Sequence, residues 1–175
     1  MNAKRKILEK IVRVDQAGEV GAQQIYEGQK LVFKTLKNKK DYDQISRMAN
    51  EEKEHLDYFN ELAKKESIKP TKLSNLFGVG AFAMGIGTAL LGRKAAYVCT
   101  EAVEEVIEAH YQKQIDELDS IHDDVREKII KFQEDEVDHK NTAINEGSQQ
   151  ALGYSILRKT INETTKLAIF MAERY

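Results

Sequence analysis

The chain has one cysteine, Cys99, and one proline, Pro70, in 175 residues. A lone cysteine excludes an internal disulfide and any cysteine-built zinc or iron–sulfur site, and reads as a small buried residue. Scarce proline beside 32% charged and 41% hydrophobic residues favours long helices over a sheet protein with turns every few residues. There is no basic excess: 27 Lys and Arg face 29 Asp and Glu, a net charge of −2, which argues against nucleic acid as a partner. The opening MNAKRKILEKIVRVDQ lacks the apolar run of a signal peptide, so a reducing, cytoplasmic setting is expected.

What is present is helical patterning. Five helices are expected, over about 3–37, 42–67, 94–119, 123–147 and 151–174, with the polar turn KNKKD after the first and Pro70 closing the second. The chain is long enough for one domain with a real core. Hairpins 3–67 and 94–147, joined by a crossover at 70–92 and followed by a C-terminal helix at 151–174, give a single domain over 1–175. Its expected class is all-α: a ferritin-like four-helix bundle with a long apolar crossover and an additional C-terminal helix.

Polar residues interrupt the buried seams of these helices. Val125, Ile129, Phe132, Glu136, His139 and Ala143 follow one another at gaps of four and three, the rhythm of a packed helix face. Ile45, Met48, Glu52, His55, Phe59 and Leu62 repeat it, as do Tyr97, Thr100, Glu104, Ile107 and Tyr111. Leu8, Val12, Asp15, Glu19, Ala22 and Tyr26 do so in the first helix. The pattern is an internal repeat: Glu19 precedes Glu52 by 33 residues and Glu104 precedes Glu136 by 32, each pair ending in Glu-x-x-His. In an antiparallel hairpin, residues equidistant from the turn are level, so each lone Glu should face its Glu-x-x-His partner.

Four dry carboxylates, each costing several kcal/mol if unpaired, would together exceed the roughly 5–15 kcal/mol stability of an ordinary domain. Two divalent ions would neutralise them. Glu and His at i and i+3 share one helix face, and carboxylate with imidazole suits iron or manganese. A Glu from each of two helices and a Glu-x-x-His from each of two more is the arrangement of di-iron carboxylate bundles. The expected metal ligands are therefore Glu19, Glu52, His55, Glu104, Glu136 and His139.

Other acids read differently. Glu101, Glu105 and Glu108 lie off the seam and are expected to be solvated. Glu51, Glu54, Glu134, Asp135 and Asp138 flank the ligand faces, and one of them could hydrogen-bond a ligating histidine. His122 falls in a turn at the surface, Tyr26 and Tyr111 fall in the core, and His110 is either a satisfied histidine or a catalytic neighbour. The uncharged stretch from Leu76 to Gly92 is 17 residues, shorter than the roughly 20 a membrane span needs, and carries five glycines. It reads as a buried crossover, an interfacial segment dipping into lipid, or the wall of a channel for an apolar substrate.

RVDQAGEVGAQQIYEGQ (13–29), EEKEHLDYFNEL (51–62), GIGTALLG (85–92), TEAVEEVIEAHYQKQI (100–115) and EDEVDH (134–139) together resemble the demethoxyubiquinone hydroxylase family over nearly the whole chain. The resemblance implies a membrane-associated di-iron monooxygenase of ubiquinone biosynthesis. Two iron ions would sit on the six residues above, with O2 as co-substrate and the ring of a polyprenylated demethoxyquinol as substrate. His110 and Tyr111 match the family's His-Tyr pair, giving the candidate catalytic residues; Arg13, Asp15, Tyr26 and Arg174 also match, implying roles near the quinone or metals. Electrons would come from an external donor: a reductase, an NADH-derived source, or the quinone itself, since GVGAFAMG is a poor dinucleotide fingerprint. Reductase and quinone-pathway partners, peripheral contact with lipid, and a place on the cytoplasmic face of a bacterial inner membrane follow from the same resemblance. A ferritin-like iron-storage or ferroxidase protein is the alternative; a rubrerythrin-like enzyme would need four cysteines, and a purely structural bundle leaves the six polar seam residues unexplained.

Overall fold

The computed structural model describes residues 3–118 and 121–174. Those residues form six α-helices and no strand: α1 (Ala3–Thr35), α2 (Lys39–Lys65), α3 (Ser74–Leu90), α4 (Arg93–Glu117), α5 (Asp123–Asn145) and α6 (Tyr154–Ala172), with a short 3-10 turn at Ser148–Gln150. The fold is all-α and ferritin-like. One helix more than expected is present, because the uncharged stretch is itself helical. The expected end of the third helix at residue 119 lies outside the described residues.

Local chemistry sets the element ends. Asn38 caps α2, its side chain accepting from the Asp41 backbone N–H at 3.3 Å. Gly92, at φ +118°, makes the left-handed corner that separates α3 from α4, which a side chain would resist. Buried Asp41 accepts from Arg93 Nε at 2.9 Å and from the Tyr97 hydroxyl at 3.0 Å, while Arg93 also donates to the Glu146 carbonyl at 3.0 Å. This clamp ties the starts of α2 and α4 to the end of α5. Burial pushes the Asp41 carboxyl up, but Arg93, Asn38 and Tyr97 together hold it below the usual carboxylate range.

α1 packs along α2, and α4 along α5. Two apolar plugs fill the bundle. One, at the end where α1 begins, includes Leu8, Ile11, Phe59, Leu118, Ile129 and Phe132; the other includes Tyr26, Phe33, Ile45, Met48 and Tyr97. Each fully buried large side chain contributes about 1.5–3 kcal/mol. The six polar seam residues lie between the plugs, so the stable ends hold an unfavourable middle in place.

α3 and α6 lie outside the four-helix core, α3 against α1 and α4, and α6 against α4. Between α1, α3, α4 and α6 is an apolar cavity of about 410 Å³, walled by residues including Gly18, Ala22, Phe77, Met84, Val103 and Ala168. Leu76, Val79, Leu90 and Leu91 at or beside α3, with Leu152, Ile156 and Phe170 at or within α6, remain exposed. Among the described residues no helix is long and apolar enough to cross a membrane.

The approach of α3 to α1 depends on glycine. A Cβ on Gly85 would meet the Ile25 backbone carbonyl, and one on Gly28 the Phe82 carbonyl, both well inside contact distance. Alanine would add about 1 kcal/mol of helix propensity. Backbone atoms cannot rotate away as a side chain does, so the overpacking cost of roughly 1–3 kcal/mol or more dominates. Gly85→Ala is therefore expected to destabilise by about 2 kcal/mol and lower Tm by about 4–8 °C in thermal unfolding. An unchanged Tm would show that α1 and α3 part without cost.

Candidate metal centre

The six seam residues converge at one level of the bundle. Glu19, Glu52, His55, Glu104, Glu136 and His139 are each at most 3% exposed. Their donor atoms form two groups, Glu19–Glu52–His55–Glu136 and Glu52–Glu104–Glu136–His139, with ligating atoms within 4.8 Å of one another in each. Glu52 and Glu136 belong to both groups. Each group thus combines the Glu and Glu-x-x-His of one hairpin with a glutamate borrowed from the other.

The donor atoms suit cations. His55 Nδ1 lies 3.4 Å from both Glu52 Oε2 and Glu136 Oε1; His139 Nδ1 lies 2.9 Å from Glu52 Oε1 and 3.5 Å from Glu136 Oε2. Both Nδ1 atoms, both Glu52 oxygens and Glu136 Oε2 are buried without a hydrogen-bond partner among the described residues. They approach one another without hydrogen-bond alignment, as atoms do when they point at a shared third body. Each imidazole is oriented from behind. His55 Nε2 is 3.1 Å from Asp135 Oδ2, and His139 Nε2 is 2.8 Å from Glu51 Oε2. An Nε2–H donated outward leaves the Nδ1 lone pair facing inward, the tautomer a metal requires. The Tyr26 hydroxyl donates to Glu104 Oε1 at 2.8 Å and the Tyr111 hydroxyl donates to Glu19 Oε1.

Electrostatics give the same picture. Burial, then the neighbouring carboxylates, pushes Glu19 and Glu104 well above the usual range. Burial also pushes Glu52 up, but His139 and His55 outweigh it and hold Glu52 low. Burial would lower both imidazoles, yet Glu136 and Glu52 raise His55 and His139 to about 12. With protons alone to balance it, the cluster favours protonated imidazoles, and Glu19 and Glu104 keep their protons to higher pH than an ordinary carboxyl. These protons stand where positive metal charge fits, and the set of four carboxylates and two imidazoles is compatible with a pair of divalent cations.

Several expected placements change. Glu101 is not solvated: it is 4% exposed and accepts from the Ser148 and Tyr154 hydroxyls, the latter at 2.6 Å. Glu105 pairs with Arg158 and Asn162, and Glu108 with Lys140, so both are half-buried rather than free. The cause is that α6 lies over the face of α4 carrying Glu101 and Glu105, while Glu108 turns toward Lys140 of α5. Two acids, not one, back the histidines: Glu51 and Asp135, each immediately before a cluster glutamate of the facing helix. Tyr111 and Tyr26 touch the cluster. His110 stands nearby, half-buried, beside Gln114. Arg13 pairs with Glu9 at 2.7 Å, and Arg174 lies over the Phe170 ring. His122 precedes α5 and is partly exposed.

A small chamber of about 30 Å³ separates the cluster from the apolar cavity; both are walled by Val14, Gly18, Ala22, Val103, Ile107 and Ile169. Known proteins are similar to this chain over nearly its whole length. The chain is 39% identical to the "NADPH-dependent 3-demethoxyubiquinone 3-hydroxylase, mitochondrial" of Caenorhabditis elegans, over 98% of this chain and 92% of that protein. It is 41% identical to the Dictyostelium discoideum protein of the same name, over 98% and 79%. It is 38% identical to the "3-demethoxyubiquinol 3-hydroxylase" of Rhodospirillum rubrum, over 96% and 78%. The family model described as ubiquinone biosynthesis protein COQ7 matches residues 6–172, and the chain belongs to that family.

Proposed function

We propose that this chain is a di-iron monooxygenase that uses O2 to hydroxylate the ring of a polyprenylated demethoxyquinol in ubiquinone biosynthesis. The observation that carries the reading is a buried cluster of four carboxylates and two imidazoles opening through a small chamber onto an apolar cavity. Glu19, Glu52, His55 and Glu136 would hold one ion, and Glu52, Glu104, Glu136 and His139 the other. Two irons so held would activate O2 and supply the oxygen atom transferred to the ring.

The chain's own residues do the rest. Asp135 and Glu51 fix the two imidazoles, while Tyr111 and Tyr26 hold Glu19 and Glu104. The cavity accepts the ring and first part of the tail and keeps bulk water from the cluster. Gly18 and Ala22, with little side chain, leave room for a flat ring to approach. The exposed leucines of α3 and α6 would rest in lipid, the source of so apolar a substrate, and peripheral attachment to the cytoplasmic face of a bacterial inner membrane follows. Electrons come from an external reduced donor; the names of two relatives point to a nicotinamide nucleotide, directly or through a reductase.

Anaerobic reconstitution with ferrous iron is expected to load two irons per chain. Cells lacking the protein are expected to accumulate the demethoxyquinone, with rescue by the wild-type chain and not by Glu104→Ala. A single tightly held zinc, or an unchanged quinone profile, would refute the reading.

A further inference from the structure

One buried acid near the centre is not among its six residues. Asp15, one helical turn before Glu19 on α1, is 4% exposed. Its Oδ1 accepts from Gln114 Nε2 at 2.7 Å and lies 3.5 Å from His110 Nε2. The same Gln114 amide nitrogen is 2.8 Å from His110 Nε2. A glutamine NH2 has two hydrogens, so it serves both neighbours when His110 presents the Nε2 lone pair, a tautomer assigned from this geometry. Asp15 Oδ2 is buried and has no hydrogen-bond partner among the described residues. Burial, the largest influence, pushes the Asp15 carboxyl up despite His110 and Gln114, which favours a group that both takes and gives a proton.

The surroundings give these residues a direction. Asp15 and His110 both line the small chamber beside Glu19, Glu104, Glu136 and Tyr111. Its volume of about 30 Å³ exceeds the roughly 10–15 Å³ that one water needs. On its other side His110 lines an open groove of about 480 Å³ between α1, α4 and α6. The charged groups facing that groove are Lys10 from α1, Glu105, Lys113 and Glu117 from α4, Lys166 from α6 and Glu173 just after it. His110 is thus a wall shared by the outer groove and the inner chamber. The apolar cavity reaches the chamber by a separate, dry approach.

Hydroxylation consumes protons: R–H + O2 + 2e⁻ + 2H⁺ gives R–OH + H2O. The electrons come from the external reduced donor, one oxygen atom enters the ring, and the other leaves as water carrying both protons. A greasy cavity cannot conduct them. We propose that Asp15 and His110 form a proton-delivery relay from the polar groove to the chamber, with Gln114 as the brace that holds both. The relay rests on the monooxygenase reading. His110 takes a groove-side proton on Nε2, its nitrogen without hydrogen, and the resulting imidazolium gives that proton to the adjacent Asp15 carboxylate, which releases it into the chamber while His110 returns to its neutral form. Gln114 carries no proton and is a positioning residue.

The test uses the full chain loaded with iron, a short-tailed demethoxyquinol and a chemical reductant. Asp15→Asn is expected to keep the wild-type iron content and Tm, to lower kcat about 100-fold, and to enlarge the solvent deuterium isotope effect. Asp15→Glu should restore part of the rate. His110→Ala should fall similarly and regain about tenfold with added imidazole, which reaches the groove. Independently of turnover, in metal-free protein labelled with 15N-histidine, the His110 ring N–H should exchange with water about tenfold faster than those of sealed His55 and His139. A wild-type rate in Asp15→Asn overturns the relay alone, as do iron loss in that variant, His110→Ala deaf to imidazole, or a His110 N–H as protected as the other two. A wild-type chain that binds iron and makes no hydroxylated product overturns the monooxygenase reading and the relay with it.

Discussion

Glu52→Ala is expected to lose bound metal and hydroxylation together, and the metal-free variant to melt well below the wild type. Glu52 is fully buried and is a member of both donor groups, so its removal takes a ligand from each prospective metal position. The residue also faces both Nδ1 atoms, at 3.4 Å from His55 and 2.9 Å from His139. Both imidazoles are held protonated by the carboxylates around them. Deleting one partner of a buried ion pair costs about 3–5 kcal/mol, because the remaining charge stays dry and uncompensated. Glu101→Ala is the contrast. It too is a buried glutamate, but its partners are Ser148 and Tyr154 at the junction with α6. Its loss is expected to cost about 1–3 kcal/mol while iron content stays at two per chain. Metal analysis beside thermal unfolding separates the two; an iron-replete Glu52→Ala would remove Glu52 as a shared ligand from the proposal.

The contrast marks what one-dimensional reading resolves. The 3–4 rhythm finds a helix's buried face when the helix has one such face. All six buried residues of α5 are those of its seam: Val125, Ile129, Phe132, Glu136, His139 and Ala143. α4 has no single face, because α5, α6 and α3 surround it and it buries Ala96, Val98, Cys99, Glu101, Ala102 and Val103 alike. The small apolar residues on every side of 95–106 were the available sign that Glu101 would be enclosed.

Pairing across hairpins was beyond the spacing argument. Equidistance from a turn sets Glu19 level with Glu52 and His55, but it says nothing of the other hairpin, whose distance and rotation depend on how the apolar plugs pack. Hence the sharing of Glu52 and Glu136 emerges only in three dimensions. Glu51 and Asp135 escaped selection for a related reason: each sits about 100° around its helix from a cluster glutamate, on a half-exposed flank that many unremarkable acids occupy. The adjacency Glu51–Glu52 and Asp135–Glu136, repeated in the two halves, was their one signature. The uncharged stretch 76–92 left its wall, crossover and interfacial readings open, since composition does not say which neighbour a greasy helix faces.

Metal removal should reverse how stability depends on pH. In the metal-free protein, Glu19 and Glu104 titrate well above their ordinary 4.5, and His55 and His139 near 12 rather than 6.5. Raised folded-state values mean that the native state binds protons the unfolded chain has released. That stability is complete below the unfolded values and drains away as pH rises, from about 4.5 upward for the glutamates and from about 6.5 toward 12 for the histidines. Glu52, held low, acts in the opposite sense but only below its ordinary 4.5, outside this window. Each excess proton is worth about 1.4 kcal/mol per pH unit, so even one lowers Tm by roughly 3–6 °C per unit between about pH 7 and 9. With metal bound the same ligands are deprotonated in the native state. Stability of the loaded protein then rises with pH until the unfolded histidines have lost their protons, near 6.5, and stays level beyond. Thermal unfolding at about pH 6, 7.5 and 9, with chelator or with excess divalent metal, should give two curves that diverge as pH rises. Parallel curves would mean that protons and metal do not compete for the cluster, and the two-cation assignment would lose its electrostatic basis.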